Sequence, residues 1–158
     1  MSSSYGGCAQ LVSPLGCHIM NASYTPPTPN RWKATRVRVL VAFEDVRRLY
    51  RETIARAIGE LRPALEVRKV ALGELEGELS VFDPHVVVCS QPNGEHPGGR
   101  GAWVQIPTDD GASDDERLAE VCLDGKRWRT EGPPLAELLE VIDEAEERLR
   151  EGDLTEAC

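Results

Sequence analysis

The clearest pattern in the chain begins at "RVRVLVAF", Arg36 to Phe43, where β-branched and apolar residues crowd together. Such a run predicts a strand of parallel-sheet character, buried on both faces. Directly after it, "EDVRRLYRETIARAIGELRP" sets Val46, Tyr50, Ile54, Ala57, Ile58 and Leu61 at spacings of three and four, which predicts an amphipathic helix from near Asp45 to just before Pro63. "ALEVRKVAL" then alternates like a half-buried strand, and "LGELEGELSVF" predicts a short helix weakened by Gly73 and Gly77. "PHVVVCS" predicts a third strand. The stretch that follows, "QPNGEHPGGRGA", holds two Pro and four Gly and does not suit a helix, yet it leads into a fourth strand at "AWVQIP". A loop therefore stands where a crossover helix is expected.

Further on, "SDDERLAEVCLDGKRWRT" predicts a strand at Leu118 to Leu123, a turn at Asp124 and Gly125, and a returning strand through Trp128. The last element is the most regular: Pro133 or Pro134 at a helix start, then Leu135, Leu138, Leu139, Ile142, Ala145 and Leu149 on one stripe. By contrast the first 34 residues are rich in Ser, Gly, Pro and Asn and lack any sustained period. They read as a disordered or loosely ordered tail at 1–34, followed by one α/β domain at 35–151 and a short tail at 152–158. Strands alternating with helices imply an open parallel sheet of about five strands, flavodoxin-like in order.

Composition narrows the function classes. A chain of 158 residues is long enough for one real core and too short for a large multidomain enzyme. No apolar run is long enough to cross a bilayer and the start lacks a signal-peptide pattern, so the expected setting is cytoplasmic with no membrane partner. Residues 1–36 carry Arg31, Lys33 and Arg36 and no acid, which leaves 15 basic against 27 acidic side chains in the rest. A body this acidic argues against direct contact with nucleic acid. The five cysteines, Cys8, Cys17, Cys89, Cys122 and Cys158, contain no CxxC pair and read as free thiols, signalling neither a metal centre nor a disulfide framework.

At this point the residues resemble a family. "RVLVAFEDVRRLYRETIARAI" is similar to the first strand and helix of response-regulator receiver domains, "FDPHVVVCSQPNG" to their third strand and its turn, and "GPPLAELLEVIDEA" to their final turn and helix. The resemblance spans roughly residues 36–149. It implies a phosphoacceptor aspartate at the end of the third strand, an acidic pair after the first strand holding Mg²⁺, and a lysine near the last turn. Residue by residue, Ser90 falls on the phosphoacceptor position, Phe43 and Glu44 on the acidic pair (Glu44 and Asp45 if the strand slides by one), and Glu131 on the lysine. A neutral serine cannot form the aspartyl phosphate, and a glutamate in place of the lysine repels where the family attracts. The resemblance therefore implies a pseudo-receiver with the phosphorelay lost.

Each candidate also has an ordinary reading. Cys89 reads as a small buried apolar residue before it reads as a nucleophile. Ser90 suits a turn, and Glu44 and Asp45 suit the start of a helix. His85 reads as a strand start facing solvent or a backbone carbonyl, His96 as a surface loop residue, and the "GGRG" around Arg100 lacks the spacing and lysine of a phosphate loop. Two functions follow. One is a non-catalytic regulatory module that binds a protein partner or forms a homodimer, without cofactor or metal. The other is a small-molecule binder or small enzyme using Glu44, Asp45, Cys89, Ser90, Arg100 and the 94–101 loop at the strand ends.

Overall fold

The computed structural model describes residues 36–92, 101–108, 118–131, 133–152 and 158. The expected tail at 1–34, most of the Gly/Pro-rich loop with His96 and Arg100, and residues 153–157 lie outside the described residues. Six strands form one sheet: β1 (Arg38–Phe43), β2 (Glu66–Ala71), β3 (Val86–Cys89), β4 (Ala102–Gln105), β5 (Ala119–Leu123) and β6 (Lys126–Thr130). Three α-helices accompany them: α1 (Arg48–Leu61), α2 (Leu75–Phe82) and α3 (Leu135–Glu151). Short 3-10 turns at Asp45–Arg47 and Leu72–Glu74 lead into α1 and α2.

The strand order is β2-β1-β3-β4-β5-β6. The first four strands are parallel, whereas β4 to β5 and β5 to β6 are antiparallel. The expected open parallel sheet of about five strands is thus corrected to a six-stranded, mostly parallel, mixed sheet, in which the hairpin at Asp124-Gly125 occurs as the pattern predicts. The cause of the second reversal is local. Asp124 and Gly125 both take positive φ, 49° and 76°, as a tight two-residue hairpin turn requires, and two residues can join only antiparallel neighbours.

The register sorts side chains into rows across the sheet. On one face Val41, Val88, Val104, Val121 and Trp128 stand side by side, and Ile54, Ala55 and Ile58 of α1 with Leu138, Val141, Ile142 and Ala145 of α3 join the same cluster. On the other face Leu40, Val87, Trp103 and Cys122 form a row, and α2 contributes Leu75, Leu79 and Phe82. Arg62 at the end of α1 binds Asp143 of α3 through two parallel bonds, Nε to Oδ1 at 2.7 Å and NH2 to Oδ2 at 2.6 Å, which ties the two helices on that face. The Arg62 hydrogen bond holds the Asp143 carboxyl below its ordinary range.

Two expectations about faces change. In α1 the buried residues are Arg51, Ile54, Ala55 and Ile58, whereas Val46, Tyr50 and Leu61 of the expected stripe are exposed. Arg51 turns its stem inward and spends its head on backbone carbonyls, so a charged residue occupies a core position. In α3 Leu135 is exposed, and burial starts at Leu138.

The thiol expectation is also corrected. Cys122 and Cys158, 36 positions apart, form a disulfide, and Cys89 is free and buried. The pairing is tertiary: β5 lies beneath position 158, and Arg127 NH2 donates to the Cys158 carbonyl oxygen at 3.2 Å. A disulfide persists in oxidising surroundings, so the cysteines no longer argue for the cytoplasm. No helix among the described residues is long and apolar enough to cross a membrane.

Candidate functional site

In this strand order the chain leaves β1 toward β2 on one side and returns to β3 on the other, so the crevice between the carboxyl ends of β1 and β3 is the topological switch point. Glu44 follows β1 in extended conformation (φ −56°, ψ 154°), and Ser90 follows β3. Their side chains meet there. The Ser90 hydroxyl donates to Glu44 Oε1 at 2.8 Å, while Glu44 Oε2 is buried without a hydrogen-bond partner.

Below this pair, the chain after β3 is folded back by one carbonyl. Gln91 O accepts from Cys89 Sγ at 3.2 Å and from Trp103 Nε1 at 3.0 Å, which locks the strand end onto β4. Burial pushes the Cys89 thiol up to about 12, the Gln91 bond opposing and the Glu44 charge adding to it. At neutral pH almost no thiolate exists, so Cys89 lacks the form that attacks electrophiles. Alkylation of the native protein at pH 7 is therefore expected to spare Cys89, and unfolding by denaturant to expose it. Mass mapping after brief native labelling checks this; rapid modification of Cys89 would reveal an activated thiol.

Beside the pair, Arg51 reaches under the turn after β1. It is 8% exposed, and its NH1 donates to Phe43 O and Val70 O, both at 3.0 Å, joining the ends of β1 and β2. NH1 also lies 3.7 Å from Asp45 Oδ1, although the Asp45 carboxylate faces solvent. Arg51 Nε is buried and unpartnered. Arg47 crosses the crevice on the other side to the Thr108 carbonyl beyond β4.

Of the sequence-derived candidates, Glu44, Ser90 and Cys89 come together, with Asp45 on the rim and Arg100 outside the described residues. Glu131 does not join them. It follows β6 at the same end of the sheet but three strand spacings from β3, about 14 Å, because β4 and β5 lie between them. His85 is at the opposite end of β3, where its Nδ1 accepts the Arg38 backbone N–H at 3.0 Å. No group of three or more His, Cys, Asp or Glu able to hold a metal occurs among the described residues. A nucleophile needs a neighbouring base and something to orient that base. Ser90 has a carboxylate beside it, and the described residues around it supply no imidazole.

The sequence pattern missed the apolar surface of this end. Val46 is 93% exposed, Leu49 84% and Tyr50 42%, three large apolar side chains on the entry to α1. Tyr50 stacks edge-on against Phe43 with ring centroids 5.1 Å apart, and Val46 and Leu49 project from the protein. A helical period cannot say which apolar residues find a sheet beneath them; here the 3-10 turn before α1 offsets its first residues from the buried stripe. A separate shallow groove of about 330 Å³, lined by Ala55, Arg56, Gly59, Leu65, Val67 and Lys69, runs between α1 and β2 and does not reach the crevice. The chain matches no protein-family model, no curated protein and no solved structure.

Proposed function

We propose that the chain is a non-catalytic regulatory module on a flavodoxin-like, receiver-like scaffold, which docks a protein through the strand-end face instead of relaying phosphate. The observation that carries this reading is the exposed apolar set of Val46, Leu49 and Tyr50 at the mouth of the switch-point crevice. Large apolar side chains clustered at the surface mark contact sites, and these are rimmed by Arg47 and Arg48. Support also comes from the groups behind them: Cys89 is held as a neutral thiol and the Ser90 hydroxyl is committed to Glu44. The β2-β1-β3-β4 order with α1 and α3 on one face and α2 on the other suits a doubly wound scaffold of that kind.

The test uses Val46→Ser with Leu49→Ser. Because both residues face solvent, the double variant should keep its unfolding free energy within about 0.5 kcal/mol per site and lose binding of an apolar fluorescent dye. A loss of about 2 kcal/mol or more would mean that the chain itself covers these side chains, and the docking reading would fall.

A second reading, a small-molecule site, is favoured by one observation: Glu44 Oε2 is buried without a hydrogen-bond partner at the switch point. Buried polar atoms are nearly always satisfied, so a ligand that donates to Glu44 would complete the crevice. Such a ligand would raise the melting temperature of the native protein and not that of Glu44→Gln.

A further inference from the structure

The two edges of the sheet are charged differently. On β2 the cations are matched by helix acids: Arg68 binds Glu78 at 2.7 Å and lies over the Phe82 ring, and Lys69 binds Glu52. On β6, "KRWRT", Arg127 and Arg129 share the single carboxylate of Glu120, at 3.3 and 3.6 Å, and Lys126 makes no ion pair among the described residues. Within the strand three cations share the one acid of its ladder partner, and the acids Glu131 and Glu137 lie only at its Thr130 end, which leaves a positive stretch on a chain whose formal net charge is −9. Trp128 sits among them and is 36% exposed. Because β6 is last in the strand order, one side of its backbone has no strand neighbour among the described residues.

We propose that the outer edge of β6 docks an extended segment of a partner protein in which acidic and apolar residues alternate, adding a seventh strand to the sheet. The backbone of such a segment pairs with the N–H and C=O groups on the side of β6 that has no strand neighbour among the described residues, and its side chains alternate between the faces. Arg127 and Arg129 project on the face of Cys122 and Glu120, so acids two positions apart fall beside them. The residue between those acids falls on the opposite face beside Trp128, which continues the apolar row of Val104 and Val121. An apolar side chain there extends the core of that face outward.

A second copy of β6 does not fit the same edge, because it sets Lys and Arg against Lys and Arg, and like charges on facing strands repel. Charges on an edge strand also serve to ward off aggregation. A guard only repels, however, and predicts no uptake of an acidic strand. At physiological salt the screening length is about 8 Å, so along Lys126–Arg129 the local cations act on a docking segment more strongly than the helix acids, of which Glu137 meets the strand only at Thr130.

The experiment titrates the full chain with an acetylated peptide Glu-Val-Glu-Thr-Glu-Val-Glu and with its lysine counterpart, following backbone amide shifts and hydrogen exchange by NMR. The acidic peptide should shift and protect the Lys126–Thr130 amides and move the Trp128 indole signal, and the effect should weaken as salt rises. Arg127→Glu with Arg129→Glu should weaken binding about tenfold or more and let the lysine peptide bind instead. If that variant loses its dispersed spectrum, Arg129→Gln alone should still weaken binding severalfold. Val46→Ser with Leu49→Ser should bind the peptide as the native chain does, which separates this surface from the strand-end face. Absence of shifts at millimolar peptide, equal binding of both peptides, shifts centred on α1 or β2, or dimerisation through β6 would overturn the proposal.

Discussion

Reduction of the Cys122–Cys158 bond by a dithiol lowers the free energy of unfolding by about 4 kcal/mol. The bond closes a loop of 36 residues, and the chain-entropy relation assigns a loop of that length a constraint on the unfolded chain of about 4 kcal/mol at 25 °C. Folded-state losses add little, because Cys122 is buried beside Trp103 and remains a small apolar residue once reduced. For a domain stabilised by about 5–15 kcal/mol this is a large share, and it moves the denaturant midpoint far enough to measure easily. Matched denaturation of oxidised and reduced protein is the check. A change below about 1 kcal/mol would mean that the bond constrains the unfolded chain far less than its loop length implies.

The second large effect is in α3. Ile142→Ala should cost about 2–5 kcal/mol, the range for truncating a buried isoleucine in a core that does not fully collapse. Ile142 is fully buried in one cluster with Val104, Val121 and Leu123, and α3 is the helix that packs on β4 over this face. The adjacent control is Leu135→Ala, seven positions earlier on the same helix. Leu135 is exposed and should change stability by less than about 1 kcal/mol. Equal effects of the two substitutions in chemical denaturation would show that the buried stripe of α3 has been misplaced.

Much of this architecture is written in local pattern. The strands at "RVLVAF" and "VVVC" announce burial on both faces, and Asp124-Gly125 fixes a hairpin because few residues accept two successive positive φ values. The final helix is legible from its leucine spacing. What escapes local pattern depends on partners distant in sequence. Arg51 enters the core because two carbonyls from β1 and β2 wait there, and nothing in its neighbours along the chain announces them. Val46 and Leu61 have the right spacing for a core and no sheet beneath them. The meeting of Cys122 with Cys158 requires the completed fold. The same holds for the site: the ends of β1 and β3 were identifiable as a place, but the bond between Glu44 and Ser90, the blocking of Cys89 and the separation of Glu131 follow from the order and direction of the strands.

The disulfide also changes how load passes through the molecule. A force applied at position 158 of an unbridged chain would first peel α3 and then β6, each as a local event. With the bond in place, the force enters β5 directly at Cys122, a strand held by β4 on one side and β6 on the other. Residues between the two cysteines then carry almost none of it. A machine that unravels proteins by pulling on position 158 would meet β5 before α3 or β6, and it would have to draw a doubled chain through its pore. A pull at position 158 therefore meets a different first strand in the oxidised and the reduced protein, and a dithiol switches between the two.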